Sequence, residues 1–138
     1  MLSILATLAL TLSHAAQSPE GALVFSAEDF ETTVYFDYGR NDLGSAGILL
    51  VQQQAERALA AGFAKAKVIG HTDRAGSAEQ NLKDGMERAE AVAAVLVSQG
   101  YAEDDVEVES AGESQPARRH ADERREPLNR RAVIIFSE

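Results

Sequence analysis

The stretch Ala66-Lys67-Val68-Ile69-Gly70-His71-Thr72-Asp73-Arg74-Ala75-Gly76-Ser77 joins a short apolar run to a long helical one, and its reading decides the fold. Residues 66–70 are a short buried strand. Residues 78–99 place Ala89, Val92, Ala93 and Leu96 at i, i+3, i+4 and i+7, the spacing that gathers side chains on one face of a helix. Ser77 supplies an N-cap and Gly100 a stop. A strand that runs into a helix through polar residues puts the joining loop at the strand's carboxyl end and at the helix N-terminus. There, backbone N–H groups and the helix dipole favour anions.

The same punctuation continues outward. Residues 33–37 are rich in β-branched and aromatic side chains and give way to a turn at Gly39 and Asn41, the pattern of a first strand. Val51, Ala55, Ala58 and Leu59 share one face of a helix over residues 45–61, ended by Gly62. Residues 105–110 alternate Val106 and Val108 with Glu107 and Glu109, as a strand with one wet face does. Residues 132–136 are continuously apolar, which predicts a strand covered on both sides. The order is βαβαββ. Helices that follow strands imply crossovers onto one face of a mixed sheet, an α/β (α+β) two-layer sandwich.

The chain of 138 residues has the length of one domain. Its first twelve residues, Met1-Leu2-Ser3-Ile4-Leu5-Ala6-Thr7-Leu8-Ala9-Leu10-Thr11-Leu12, carry no charged side chain and lead to Ser13-His14-Ala15. Residues 1–15 therefore read as a secretory signal, too short to span a bilayer, so the mature chain is expected to have no transmembrane span. Residues 16–32, with Pro19 and Gly21, read as a linker with a short added strand at 22–25, and residues 33–138 as the domain. The absence of cysteine excludes disulfides, thiolate metal sites and a lipid-modified cysteine. A net charge of -9 opposes binding to nucleic acid, anionic lipid or the anionic bulk of a cell wall unless a specific site holds the partner.

Two loops can build such a site: Asp37-Tyr38-Gly39-Arg40 after the first strand, and His71-Thr72-Asp73-Arg74-Ala75-Gly76 after the second. Asn81 and Arg88 lie seven residues apart, so they differ by about 20° around the helix and share a face. Gly85 lies on the same strip. A glycine within a helix costs roughly 1 kcal/mol relative to alanine. Either a ligand lying along Asn81 to Arg88 needs the space, or Gly85 permits close packing.

Together, Tyr35-Phe36-Asp37-Tyr38, Gly70-His71-Thr72-Asp73-Arg74-Ala75-Gly76, Asn81, Arg88-Ala89, Val92, Gly112-Glu113-Ser114-Gln115-Pro116 and Asn129-Arg130-Arg131-Ala132-Val133 resemble the OmpA-like peptidoglycan-binding domain, over residues 33–136. The resemblance implies non-covalent binding of the diaminopimelate of peptidoglycan stem peptides in the periplasm, at the cell wall and the outer-membrane side of the envelope. It implies Asp73 and Arg88 as the principal contacts, with Thr72, Asn81 and Asp37 around them. The chemistry fits the residue types. One end of diaminopimelate carries an ammonium and a carboxylate on the same carbon, which a carboxylate and the planar fork of an arginine can grip from two sides. Where the family usually has Leu followed by Ser ahead of the helical Arg, this chain has Asp84 and Gly85. Glycine at the second place and the ending Asn129-Arg130-Arg131-Ala132-Val133 resemble the peptidoglycan-associated lipoprotein branch, whereas Asp84 matches neither pattern. An alternative keeps the fold and drops the ligand: a module for an envelope protein partner, its pocket made degenerate by Asp84.

Other chemistries are poorly served. Asp73 with Arg74 or Arg88 could be a structural ion pair, Asp37 could cap its own turn, and Arg130 and Arg131 read as fold-holding or surface groups rather than ligand contacts. Arg118, Arg119, Arg124, Arg125, Arg130 and Arg131 invite a nucleic-acid reading, but Asp122, Glu123 and Glu126 interleave them and no aromatic residue is there to stack. His71 and Asp73 alone do not make a metal site. Gly112-Glu113-Ser114-Gln115-Pro116 lacks the second glycine of a nucleophile elbow. Asp37 and Asp73 would need a deep cleft to act as a glycosidase pair. No catalytic residue and no cofactor is expected.

Overall fold

The computed structural model describes residues 30–116 and 126–138. The secretory signal, the added strand at 22–25 and most of the linker fall outside them, as do Arg118, Arg119, Arg124 and Arg125. The elements are β1 (Glu31–Tyr35), α1 (Ser45–Ala60), β2 (Lys65–His71), α2 (Ala78–Ser98), β3 (Val106–Gly112) and β4 (Arg131–Ser137), with 3-10 turns at Glu103–Asp105 and Pro127–Asn129. They form one mixed sheet of order β1-β4-β2-β3. β4 pairs antiparallel with both β1 and β2, and β2 pairs parallel with β3. The expected α/β sandwich is therefore the observed one.

Local chemistry accounts for the boundaries. The Ser77 hydroxyl accepts the Gln80 N–H at 3.1 Å, the N-cap expected for α2. Gly100, at φ +117°, stops the helix in a conformation that a side chain would resist. Strand β1 starts at Glu31, inside the stretch read as linker, because Glu31 and Thr32 pair with Ile135 and Ile134 of the longer β4. It ends at Tyr35, although the Phe36 N–H still donates to the Arg130 carbonyl at 2.9 Å.

Val34, Val51, Ala55, Ala58, Val68, Ala89, Val92, Leu96, Ala132 and Ile134 are buried between the helices and one face of the sheet. Each aliphatic side chain larger than alanine contributes about 1.5–3 kcal/mol by leaving water. The helical faces read from periodicity are those that pack inward, except that Leu59 and Ala93 are only half-buried. The expectation that β4 is covered on both sides is corrected. Ala132, Ile134 and Phe136 are buried, whereas Ile135 is 39% exposed, since among the described residues the helices cover one face only. On the open face Lys67 and Glu109 form an ion pair at 2.9 Å.

Helix α2 lies unusually close to the sheet at one point. A Cβ on Gly70 would overlap the carbonyl of Gly85, and one on Gly85 would fall on the Ser110 hydroxyl, 2.9 Å from the Gly70 oxygen. Gly85 thus serves packing, not a ligand. The contact sets the height of the first turns of α2 above the ends of β2 and β3, where Asn81 and Arg88 emerge.

Candidate functional site

The β2–β3 register steps from Gly70 opposite Ser110 to His71 opposite Gly112. Such an irregularity re-aims the residues that follow. The Thr72 N–H is fixed on the Gly112 carbonyl at 2.8 Å, and the chain turns so that Asp73 faces a hollow beside α2. This hollow has a volume of about 290 Å³, room for on the order of ten waters. Thr72, Asp73, Asn81 and Arg88 line it, together with Tyr38 and Asn41 from the β1–α1 loop, Gln80 and Asp84 from α2, and Arg130 before β4.

Arg88 is 4% exposed, and its guanidinium is held by backbone. Nη1 donates to the His71 carbonyl at 3.0 Å, while Nε and Nη2 share the Arg40 carbonyl at 3.3 Å. Its Cζ stands 5.5 Å from the Phe36 ring centroid. Of the five N–H groups of an arginine, three are spent and one remains on each terminal nitrogen. Burial pushes the guanidinium below its ordinary pKa, opposed by Asp84 first and then Asp73. The group stays charged.

Asp73 is equally buried, at 4%. Its Oδ2 accepts from Arg130 Nη1 and from the Glu126 N–H, each at 3.2 Å, and Oδ1 accepts from the Ala75 N–H at 3.2 Å. A carboxylate offers about four acceptor directions, so Oδ1 keeps one. The structural ion pair of Asp73 is with Arg130, not with Arg74 or Arg88. Arg130 also donates Nε to the Phe36 carbonyl at 3.1 Å, so it ties the start of β4 to both loops while lining the hollow. The sequence carried the signal in Asn129-Arg130-Arg131, but not the partner.

Thr72 and Asn81 spend donors on positioning. The Thr72 hydroxyl donates to the Asp73 carbonyl at 2.9 Å, and Asn81 Nδ2 donates to the same oxygen at 3.2 Å and to Glu113 Oε2 at 2.8 Å. Asp84 Oδ1 accepts from Asn41 Nδ2 at 3.1 Å and Gln80 Nε2 at 3.0 Å. Asp37 is not brought into this hollow. Extended backbone after β1 points Phe36 inward and Asp37 outward, where it lines a separate concavity with Arg40, Asp42 and Gly47. Its backbone carbonyl accepts the Arg40 N–H at 3.1 Å, closing the turn that aims the Arg40 carbonyl at Arg88.

Among the described residues no group of three or more His, Cys, Asp or Glu could hold a metal ion, and no helix is long and apolar enough to cross a membrane. His71 is 3% exposed with Nδ1 unpartnered, and burial, reinforced by Arg131, lowers its pKa to about 4.

Comparison with known proteins points to a single family. The model of the OmpA family matches residues 35–130. The chain is 33% identical to the peptidoglycan-associated lipoprotein of Haemophilus influenzae, covering 88% of this chain and 80% of that protein. It is 30% identical to the one from Legionella pneumophila, covering 91% and 71%. The crystal structure of the peptidoglycan-associated lipoprotein from Burkholderia pseudomallei superposes with a TM-score of 0.68 at 31% identity, over 76% of this chain and 89% of that one.

Proposed function

The chain belongs to the OmpA family, and from that premise we propose that it binds peptidoglycan non-covalently in the periplasm, gripping the free end of the stem-peptide diaminopimelate between Asp73 and Arg88. The observation that carries this reading is the opening of both groups into one hollow. The two unspent N–H groups of Arg88 meet the ligand carboxylate, and the remaining acceptor direction of Asp73 Oδ1 meets the ammonium. Thr72 and Asn81 hold the loop that presents Asp73. The protein acts as an anchor or sensor at the wall and performs no reaction. Export by the N-terminal signal brings it to its ligand.

Cosedimentation with purified diaminopimelate-type sacculi tests the reading. The parent chain is expected in the pellet with the polymer intact. Asp73→Asn and Arg88→Lys are expected to stay in the supernatant, with circular dichroism reporting that each remains folded. A folded parent that stays in the supernatant would favour the protein-interaction module instead, and release of soluble fragments would indicate a hydrolase.

A further inference from the structure

Resting on the reading above, we propose that Asp84 is a second anionic contact for the ligand's ammonium, which makes binding by this chain conditional on a free amine. The protein's own bonds set up the argument. Asp73 already accepts three donors, one of them the Arg130 guanidinium, so much of its charge is compensated from within. Asp84 lines the same hollow and is bonded only to the neutral amides of Asn41 and Gln80, both through Oδ1. Among the described residues no donor reaches Oδ2 and no cationic side chain pairs with Asp84. Arg88, one turn along α2, directs its bonded N–H groups to the His71 and Arg40 carbonyls instead.

The carboxylate is also held in place. Asn41, which binds Asp84 Oδ1, donates to Glu87 Oε2 at 2.7 Å, so the wall is tied at two points on α2. A half-buried carboxylate with one unused oxygen and no internal cation suits an incoming ammonium. The cost is borne on the other side. Asp84 is the acid that acts most strongly on the Arg88 guanidinium, so it stands close enough to repel a ligand carboxylate seated there. A ligand whose ammonium is present offsets that repulsion, and a ligand whose amine is blocked cannot.

The test is a calorimetric titration of the parent and of Asp84→Asn with two probes: a diaminopimelate-containing stem tripeptide, and the same peptide acetylated on the side-chain amine. Asparagine keeps an oxygen acceptor for Asn41 and Gln80, so the wall is retained. Asp84→Asn is expected to bind the free-amine peptide roughly three- to tenfold more weakly than the parent and the acetylated peptide at least as tightly. This reversal of sign is something a merely structural role would not produce. Equal or tighter binding of the free-amine peptide by Asp84→Asn would overturn the inference while leaving the diaminopimelate reading intact. A folded parent that binds neither peptide would overturn both.

Discussion

Asp73 and Arg130, 57 residues apart in sequence, meet at 3.2 Å with side chains only 6% and 9% exposed. Removing one member of such a pair leaves the other charge buried without compensation, typically a loss of about 3–5 kcal/mol. Arg130→Gln should therefore destabilise the domain by that order in urea unfolding. Asp73→Asn combined with Arg130→Gln should recover part of the loss, because the stranded charge is then gone. A double variant no more stable than Arg130→Gln alone would mean that the pair is not the source of the effect.

What was legible in the sequence was local or periodic. Helix α2, its Ser77 cap and its Gly100 stop follow from spacing and cap chemistry alone. The open face of β4 was not legible, because Ile135 is as apolar as Ile134 and only the absence, among the described residues, of a second helical layer tells them apart. Asp73 and Arg88 could be placed on a common face of the fold, since each lies at a predictable loop or helix position. The partner of Asp73 could not, because a pairing between distant segments leaves no periodic trace. The place of Asp37 outside the hollow was not legible either: side chains alternate along extended backbone, and it is the inward turn of Phe36 that sends Asp37 outward.

Gly70 and Gly85 give a prediction of unusual sign. Replacing a glycine inside a helix with alanine ordinarily stabilises by about 1 kcal/mol. At Gly85 the new Cβ would fall on the Ser110 hydroxyl and crowd the Gly70 carbonyl, so Gly85→Ala should destabilise by about 1–3 kcal/mol. Ser110→Ala should relieve part of that loss, because it removes the hydroxyl oxygen, at the expense of the 2.7 Å bond from Ser110 to the Leu82 carbonyl. Gly70→Ala should be the more damaging, because its Cβ meets backbone that cannot rotate away. Thermal unfolding of the three variants, Gly85→Ala, Gly85→Ala with Ser110→Ala, and Gly70→Ala, orders them, and a Gly85→Ala protein more stable than the parent would contradict the packing argument.

His71 sets a pH dependence. Its folded pKa of about 4 lies below the ordinary 6.5, so between those values the unfolded chain takes up a proton that the folded chain refuses. Stability is unaffected by this group above about pH 6.5 and falls as the pH drops toward 4, by up to on the order of 3 kcal/mol. Carboxylates titrate in the same range, so the measurement is the difference between the parent and His71→Gln in urea midpoints at pH 7, 5.5 and 4.5. The parent should lose ground relative to the variant on acidification. Parallel pH profiles would show that the imidazole is not held neutral.

Ligand discrimination follows from how Arg88 is held. Its guanidinium is fixed by two backbone carbonyls before any ligand arrives, so the two remaining N–H groups are pre-organised and little is lost in ordering them. Lysine at the stem position keeps the ammonium and lacks the carboxylate. Binding it would desolvate Arg88 without replacing the lost bonds, a penalty of roughly 1.5–3 kcal/mol, or about ten- to hundredfold in affinity. Titrating the parent with matched stem tripeptides that differ only in diaminopimelate or lysine measures that ratio. In Arg88→Leu the ratio should collapse toward one, because no group is left to miss the carboxylate. A parent protein that binds both peptides equally would remove Arg88 from the contact, whatever its place in the hollow.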